Sequence, residues 1–130
     1  MQSKKAKDIM TSVVVTVRPE AMLTEAIKLL LRYSVSGLPV VDADDNLVGI
    51  ITEHDIMNIA FSGHAAETTV AETMTRDVIT YSPDTDMETL VHCYATKRII
   101  RVPILEGKKL VGIISRRDIL REMDHIYSAY

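Results

Sequence analysis

The stretch GIITEHDI at Gly49–Ile56 recurs as GIISRRDI at Gly112–Ile119, and this repetition decides the fold. The duplication extends well beyond these two stretches. Pro39, for example, returns as Pro103, 64 positions later, whereas the quoted stretches are 63 positions apart. The lost residue falls in a polar turn, which is DADDN in the first copy and the shorter EGKK in the second. Two copies of one unit predict a closed pair and not a longer array.

The composition suits one compact module. The chain has 130 residues, of which 47% are hydrophobic, and a chain of this size buries roughly two-thirds of the surface that its unfolded form exposes. Its net charge at pH 7 is −3. Proteins that bind nucleic acids or acidic membranes carry a basic surface, so this charge argues against both kinds of partner.

The cysteine count and the apolar runs bear on location. Cys93 is the single cysteine, which excludes an intrachain disulfide and favours a reducing compartment. The apolar runs are far shorter than the roughly 20 residues that span a bilayer. The basic start MQSKKAKD has no apolar stretch behind it, so no secretory signal is expected. The sequence therefore predicts a cytoplasmic protein that does not insert into a membrane.

Each copy is predicted to begin with a strand and a helix. The short apolar strands are Val13–Val17 and Val78–Tyr81, and each leads to a proline, which ends a strand because it lacks the backbone donor. In the segments 23–33 and 87–97 apolar residues recur at helical spacing, and Asp86 is a good N-cap for the second helix. The predicted apolar faces hold Leu23, Ala26, Ile27, Leu30 and Leu31 in the first copy and Met87, Leu90, Val91 and Tyr94 in the second.

A hairpin and a second helix complete each copy. The hairpin strands are continuously apolar, which predicts a sheet that is covered on both faces. The helix that follows is expected at 55–60 in the first copy and from Asp118 to near Tyr127 in the second. The hairpin strands are predicted at 38–41 and 47–51, and again at 102–105 and 110–114.

These elements predict an α/β (α+β) fold made of two tandem β-α-β-β-α units. A unit of about 60 residues is only marginally stable alone, so the two units are expected to share one core. The predicted repeats cover residues 1–62 and 70–130, and the small polar segment 63–69 links them.

The repeated strings resemble those of the CBS domain family. The first copy has DIMT, SGLPVVD and LVGIITEHDI, and the second has ETMT, IRVPILE and LVGIISRRDI. The strings occur in the same order and with the same period in both copies, from about Ala6 to Leu120. The chain therefore resembles two CBS domains in tandem, the arrangement called a CBS pair or Bateman module.

The resemblance implies a pseudo-twofold regulatory module that is not an enzyme. Members of the family bind AMP, ADP, ATP, S-adenosylmethionine or NAD(H) as regulatory ligands in the cleft between the repeats, and no cofactor is required. Such modules regulate a partner, so the resemblance implies an effector protein in trans and a homodimer. We expect the helices near Leu90–Tyr94 and Ile119–Tyr127 to contact the dimer partner.

Two interpretations of the motifs Thr52-x-x-Asp55 and Ser115-x-x-Asp118 stay open. In the first, each motif is a capping box, in which the hydroxyl caps a helix and the carboxylate bonds back. In the second, the carboxylate accepts both hydroxyls of a ribose, while the motif hydroxyl and the N–H groups of the helix start meet a phosphate. The first predicts a ligand-free structural or dimerisation module, and the second predicts a nucleotide sensor. The two are compatible if the box opens when a nucleotide binds.

The family pattern, carried over position by position, implies two binding sites. In each site backbone atoms would meet the adenine and an aspartate would hold the ribose. The favoured site comprises Thr11, Thr16, Val35, Ser36, Gly37, Pro39, Ser115, Arg116, Arg117 and Asp118. The weaker site comprises Thr75, Thr80, Ile99, Ile100, Arg101, Pro103, Thr52, His54 and Asp55.

The charges beside the two motifs are unequal. Arg116 and Arg117 precede Asp118 and can hold a phosphate through bidentate hydrogen bonds. The same positions of the first copy hold Glu53, which repels phosphate, and His54, which is mostly neutral at pH 7. We therefore expect tighter nucleotide binding at the favoured site. The alternative is that the arginines are ordinary solvated surface residues.

The sequence has only weak signals for catalysis or metal binding. His92 and Cys93 are adjacent on a predicted helix, and neighbouring side chains on a helix do not face each other, so they form a poor catalytic pair. The four histidines lack the spacing of metal ligands. The sequence therefore predicts neither an enzyme nor a metal site.

Overall fold

The structure, a computed structural model, describes residues 4–128 as two compact units. The central unit is Val15–Val78. The split unit consists of the described residues up to Val14 together with those from Ile79 onward. The predicted repeats begin at residue 1 and end at residue 130, and these ends lie outside the described residues.

Helices and strands are mixed along the chain, which confirms the predicted α/β class. Each unit contains a two-stranded antiparallel sheet. In chain order the elements are α1 (Ala6–Ile9), α2 (Leu23–Tyr33), β1 (Gly37–Val41), β2 (Leu47–Thr52), α3 (Glu53–Ile59), a 3-10 turn (Ala65–Glu67), α4 (Val70–Thr73), α5 (Met87–Thr96), β3 (Arg101–Glu106), β4 (Lys109–Ser115) and α6 (Arg116–Ser128). The strand β1 pairs with β2 in the central unit, and β3 pairs with β4 in the split unit.

The helix α2 forms where the apolar spacing predicts it. Leu23, Ala26 and Leu30 are buried on one face of this helix. Leu31 was expected on the same face, but its side chain is 75% exposed, so that prediction is wrong. Successive residues of an α-helix lie about 100° apart around the axis, which carries Leu31 off the stripe that Leu30 occupies.

The predicted strands Val13–Val17 and Val78–Tyr81 are wrong as regular strands. Each forms a single parallel bridge at its last residue. That last residue donates its N–H to a proline carbonyl, Pro39 O at 3.1 Å in the central unit and Pro103 O at 3.2 Å in the split unit. A parallel ladder would continue with a bond donated by the amide of the same proline, and proline has no N–H. The prolines of β1 and β3 therefore limit each pairing to one bridge.

Each unit has its own cluster of buried apolar side chains. A short helix supplies a side chain to each cluster, Ala6 of α1 in the split unit and Val70 of α4 in the central unit. The central cluster contains Val17, Leu23, Ala26, Leu30, Leu38, Val40, Ile51, Val70 and Met74. The split cluster contains Ala6, Leu90, Val102, Ile104, Ile114 and Ile119.

Each of these short helices belongs, by sequence, to the other repeat. The helix α1 is part of the split unit, where Thr11 and Ile113 exchange backbone hydrogen bonds of 2.9 and 3.0 Å. The helix α4 is part of the central unit, where Thr75 and Ile50 exchange bonds of 2.8 and 2.9 Å. The sequence does not predict α1 or α4, because one helical turn is too short to show a period. The boundaries of the two repeats, at 1–62 and 70–130, stay a prediction. The compact units have different boundaries, since the central unit is Val15–Val78.

Candidate functional site

The central unit carries the first motif where a strand ends and a helix begins. The strand β2 ends at Thr52 and α3 starts at Glu53, so Thr52 is the N-cap. The Asp55 Oδ2 atom accepts hydrogen bonds from Thr52 N and Thr52 Oγ1, both at 2.9 Å. Asp55 N donates to Thr52 Oγ1 at 3.2 Å. This reciprocal geometry is the predicted capping box.

Thr75 completes the hydrogen bonding of the Asp55 carboxylate. The Thr75 hydroxyl donates to Asp55 Oδ1 at 3.0 Å, although the two residues are 20 positions apart. Both carboxylate oxygens therefore accept from neutral donors, and two of these donors are hydroxyls, the group that a ribose diol presents. The structure thus brings together three residues predicted for the weaker site, namely Thr52, Asp55 and Thr75.

The start of β1 lies against the same end of β2. Gly37 pairs with Thr52 in the sheet, and Glu53 N donates to Ser36 O at 2.9 Å. A Cβ atom on Gly37 would lie 3.3 Å from Thr52 Cγ2, so glycine suits this tight pairing. Ser36 and Gly37 are predicted residues of the favoured site, and in the central unit they are neighbours of the first motif.

The split unit carries the second motif in the same local geometry. The strand β4 ends at Ser115 and α6 starts at Arg116. Ser115 N donates to Asp118 Oδ2 at 2.8 Å, and Asp118 N donates to Ser115 Oγ at 3.2 Å. Arg116 N donates to Ile100 O at 3.0 Å, which matches the backbone bond at the start of α3. The second motif is therefore also a capping box in this structure.

The other oxygen of Asp118 has a charged partner. Arg121 Nη1 lies 3.0 Å from Asp118 Oδ1 and forms an ion pair with it. The Asp118 side chain is 15% exposed and the Arg121 side chain 67% exposed, so a solvated cation covers a mostly buried carboxylate. Sequence reasoning missed Arg121. The signal was present, because side chains three positions apart on a helix are neighbours.

The charged residues that precede each aspartate lie at the surface. Arg116 and Arg117 are exposed on the first turn of α6, and Glu53 and His54 are exposed on the first turn of α3. Arg101 differs from them, because its Nε atom is buried and finds no hydrogen-bond partner in the described part of the chain. Arg116 and Arg117 are therefore exposed, as both interpretations of them require, and a contact with phosphate stays a prediction.

The predicted site residues are divided between the two units, and their ligand-binding roles stay predictions. Of the favoured site, the central unit holds Thr16, Val35, Ser36, Gly37 and Pro39, and the split unit holds Thr11, Ser115, Arg116, Arg117 and Asp118. Of the weaker site, the central unit holds Thr52, His54, Asp55 and Thr75, and the split unit holds Thr80, Ile99, Ile100, Arg101 and Pro103.

The described residues contain neither a cluster of metal ligands nor a helix that could span a membrane. Residues 4–128 contain no group of three or more His, Cys, Asp or Glu side chains placed to hold a metal ion. Within the same range, no helix has both the length and the apolar character that crossing a bilayer requires.

A comparison with known protein families identifies the repeat. The model of the CBS domain family matches residues 6–62 and 70–125. The chain belongs to the CBS domain family. Its two domains follow one another in tandem, which confirms the resemblance seen in the repeated strings.

Curated relatives of this CBS pair differ greatly in length. The inosine-5′-monophosphate dehydrogenase of Methanocaldococcus jannaschii is 38% identical over 127 residues, which are 97% of this chain and 25% of the dehydrogenase. The CBS domain-containing protein YhcV of Bacillus subtilis is 32% identical over 114 residues, which are 87% of this chain and 81% of YhcV. The chain thus spans about a quarter of the first relative and most of the second.

Solved structures of CBS pairs share the fold closely. CBSX2 from Arabidopsis thaliana, in complex with AMP, has a TM-score of 0.87 and 25% identity over 95% of this chain and 98% of CBSX2. The CBS pair of protein MJ0100, in complex with 5′-methylthioadenosine and S-adenosyl-L-methionine, has a TM-score of 0.85 and 30% identity. That match covers 96% of this chain and 99% of the MJ0100 pair. Both relatives hold ligands that contain adenosine.

Proposed function

We propose that this CBS pair is a regulatory module without catalytic activity, which binds adenosine-containing nucleotides and signals to a partner protein. One observation carries the proposal: in both units an aspartate at a helix start is held by the capping box, with a side-chain donor on its other oxygen. The ligands of the CBSX2 and MJ0100 structures support the same class of ligand.

The chemistry of the two motifs suits a nucleotide. A carboxylate has two oxygens and can accept both hydroxyls of a ribose, in place of the donors that it has in this structure. The positive end of the helix dipole favours a phosphate, and the hydroxyl of Thr52 or Ser115 can donate to that phosphate when the capping box opens. Arg116 and Arg117 add two guanidinium groups that can form bidentate bonds to phosphate oxygens. AMP, ADP and ATP are therefore the proposed ligands of the Asp118 motif.

Thermal unfolding with added nucleotide tests the proposal. AMP, ATP, S-adenosylmethionine and NADH are added one at a time, at concentrations up to the millimolar range. A ligand present at 100 times its Kd adds about 2.7 kcal/mol to the free energy of unfolding, which raises the midpoint by several degrees. The absence of a shift with all four compounds would overturn the proposal.

Substitution of the motif aspartates locates the binding. Asp118→Ala is expected to remove most AMP binding, whereas Asp55→Ala has a smaller effect because Glu53 disfavours phosphate near that motif. Asp86→Ala is a matched control, since Asp86 also caps a helix, α5, but lies outside both motifs. Isothermal titration calorimetry measures all three variants. Equal losses for Asp55→Ala and Asp118→Ala would contradict the predicted asymmetry.

The alternative function is a ligand-free structural or dimerisation module. It is favoured by one observation, namely that both motifs form closed capping boxes and thus have a structural role without any ligand. The thermal screen separates the two functions. If no adenosyl compound shifts the midpoint, and Asp55→Ala and Asp118→Ala only destabilise the protein, the structural role is correct.

Homodimer formation and a cytoplasmic location are parts of the same proposal. Leu90 was expected at a dimer contact, but its side chain is fully buried in the split cluster. On α6, by contrast, Leu120 is 59% exposed and Tyr127 is 67% exposed, so we propose α6 as the contact with a second copy. Light scattering of the wild type and of Leu120→Asp tests this contact, and an unchanged mass for a dimeric wild type would exclude it.

A further inference from the structure

The two helix starts have opposite charge at matched positions. Three arginines lie near Asp118: two directly precede it, and one follows three positions later. The same three positions near Asp55 hold a glutamate, a histidine and an asparagine. With the aspartates included and histidine neutral, the second set has a net charge of +2 and the first a net charge of −2. The residues compared are Arg116, Arg117 and Arg121 with Asp118, and Glu53, His54 and Asn58 with Asp55.

The charged side chains that differ between the two motifs are exposed, so a ligand can reach them. The side chains of Arg116, Arg117, Glu53 and His54 are exposed, and Arg121 is 67% exposed. Among the described residues, the one ion pair formed by these groups is Arg121 with Asp118. Arg116 and Arg117 therefore keep their charge available, and a bound anion would lie within a screening length of both.

The two carboxylates also differ in what a ribose would have to displace. At Asp55 the donor on Oδ1 is the hydroxyl of Thr75, so exchange with a ribose hydroxyl replaces one neutral donor by another. At Asp118 the donor on Oδ1 is the Arg121 guanidinium, which loses an ionic partner if it is displaced. A ligand with a phosphate gives that guanidinium a new anionic partner, whereas a ligand without phosphate does not.

We propose that this CBS pair sorts adenosyl ligands by charge, with Arg121 as a specificity-determining residue. The Asp118 motif takes nucleotides that carry a phosphate. The Asp55 motif takes adenosyl compounds that lack phosphate, either neutral thioethers or cationic sulfonium compounds, because Glu53 repels anions and attracts cations. This inference rests on the proposed function, since it assigns a ligand class to each of two proposed adenosyl sites.

Titration of two probes against the wild type and two variants tests the sorting. AMP is the anionic probe and 5′-methylthioadenosine the neutral one. Asp118→Ala is expected to weaken AMP binding at least 10-fold and methylthioadenosine binding less than 3-fold, while Asp55→Ala has the reverse effect. Circular dichroism confirms that each variant is folded. If both probes lose affinity equally in each variant, the sorting is overturned.

A reciprocal exchange at one position isolates the role of Arg121. Arg121→Asn and Asn58→Arg each introduce the residue that the other copy has at that place. Arg121→Asn is expected to weaken AMP binding about 3-fold, a change of the size typical of an exposed charge contact. The same variant should leave methylthioadenosine binding unchanged or slightly tighter. Asn58→Arg should weaken S-adenosylmethionine binding by a similar factor. Arg32→Gln, at an exposed position of α2, is the control and should change neither affinity.

The outcomes separate this inference from the proposed function. If the wild type binds none of these three probes and neither ATP nor NADH, the proposed function fails and the inference fails with it. If the wild type binds AMP and methylthioadenosine but Arg121→Asn changes both affinities by the same factor, only the inference fails. Raising the salt concentration gives a further check, because AMP binding should weaken with salt more steeply than binding of the neutral probe.

Discussion

Gly49 and Gly112 allow a methionine side chain to lie directly on each hairpin. A Cβ atom on Gly49 would lie 2.8 Å from both Met74 Sδ and the Thr75 carbonyl oxygen. On Gly112 the nearest atoms all belong to the Met10 side chain. The glycine in each repeated GII string is therefore explained by close approach of the covering segment and not by a turn.

The two glycines should differ in their tolerance of alanine. Gly49→Ala is expected to lower the free energy of unfolding by about 1–3 kcal/mol, because the backbone at Thr75 must shift. Gly112→Ala should cost less than half as much, since the flexible Met10 side chain can move aside. Urea unfolding of the two variants measures the difference. An equal loss of stability in both variants would show that the close approach of the Thr75 carbonyl to Gly49 does not decide the cost of the substitution.

Asp86 makes the stability of α5 depend on pH. Its Oδ1 atom accepts from Thr89 N at 2.9 Å, and the side-chain and backbone hydrogen bonds of Thr89 hold the pKa of Asp86 below its usual value. A lowered pKa contributes stability above the unfolded-state pKa of about 3.9, and that contribution is lost as the pH falls through the folded-state pKa. Asp86→Ala should therefore be less stable than the wild type at pH 7. The two proteins should converge as the pH falls through the folded-state pKa of Asp86, as measured by urea unfolding at each pH.

Tyr94 has the opposite dependence on pH. Its hydroxyl donates to the Ile114 carbonyl oxygen, and burial raises the pKa of Tyr94 above its usual value. A raised pKa contributes stability below the unfolded-state pKa of about 10, and that contribution is lost as the pH rises toward the folded-state pKa. Tyr94→Phe should cost about 0.5–1.5 kcal/mol at pH 7 and should lose less stability than the wild type between pH 9 and 11. Parallel curves for the two proteins over that range would contradict the assignment.

At the scale of elements, one ion pair ties the start of the described chain to α6. Lys4 Nζ lies 2.7 Å from Glu122 Oε1, and the Glu122 side chain is only 9% exposed. Lys4 lies two residues before the start of α1, so this ion pair adds to the packing of α1 in the split unit. The N-terminal segment is therefore held by a charge pair as well as by Ala6, which is fully buried in the split cluster.

Removal of Lys4 should expose the cost of burying Glu122. Lys4→Met leaves a carboxylate of low exposure without its cation and is expected to destabilise the protein by about 1–3 kcal/mol. The double variant Lys4→Met with Glu122→Met should be more stable than the sum of the single effects predicts, because it removes the charge together with its partner. Guanidinium unfolding of the four proteins completes the cycle. Strict additivity would show that the pair contributes nothing.

At the scale of the whole molecule, the compact units and the sequence repeats have different bounds. The central cluster needs Val70 and Met74, which are 0% and 9% exposed and lie beyond the first repeat. The segment 15–78 contains both residues, whereas the segment 1–62 contains neither. Burial of one such side chain stabilises by about 1.5–3 kcal/mol, and a domain has only about 5–15 kcal/mol in total.

The two segments should therefore behave differently when they are isolated. We expect the peptide 15–78 to unfold cooperatively in urea and the peptide 1–62 to have no cooperative transition. Far-ultraviolet circular dichroism measures both. Val70→Ala in the peptide 15–78 is the matched control and should lower its midpoint, since Val70 belongs to the central cluster. Cooperative unfolding of 1–62 would show that α4 is dispensable for the central unit.

Local patterns predict much of the fold and part of the candidate site. The period of α2, the hairpins and both capping boxes follow from residues that are close in sequence, so the sequence predicts them well. The prediction fails for Val13–Val17, because the partner proline that prevents further pairing lies more than twenty positions away. It also misses the pairing of Arg121 with Asp118, although a spacing of three positions on one helix makes the two side chains neighbours.

By itself, the sequence determined that two CBS repeats follow each other, that each places an acidic motif between a strand and a helix, and that the two motifs differ in charge. Those features depend on periodicity, turn chemistry and composition, which are local. Only the tertiary structure decided that α1 covers the second hairpin and α4 the first, and hence that the Thr75 hydroxyl meets Asp55. The physical reason is that contacts between distant residues depend on the path of the chain, which no local pattern records.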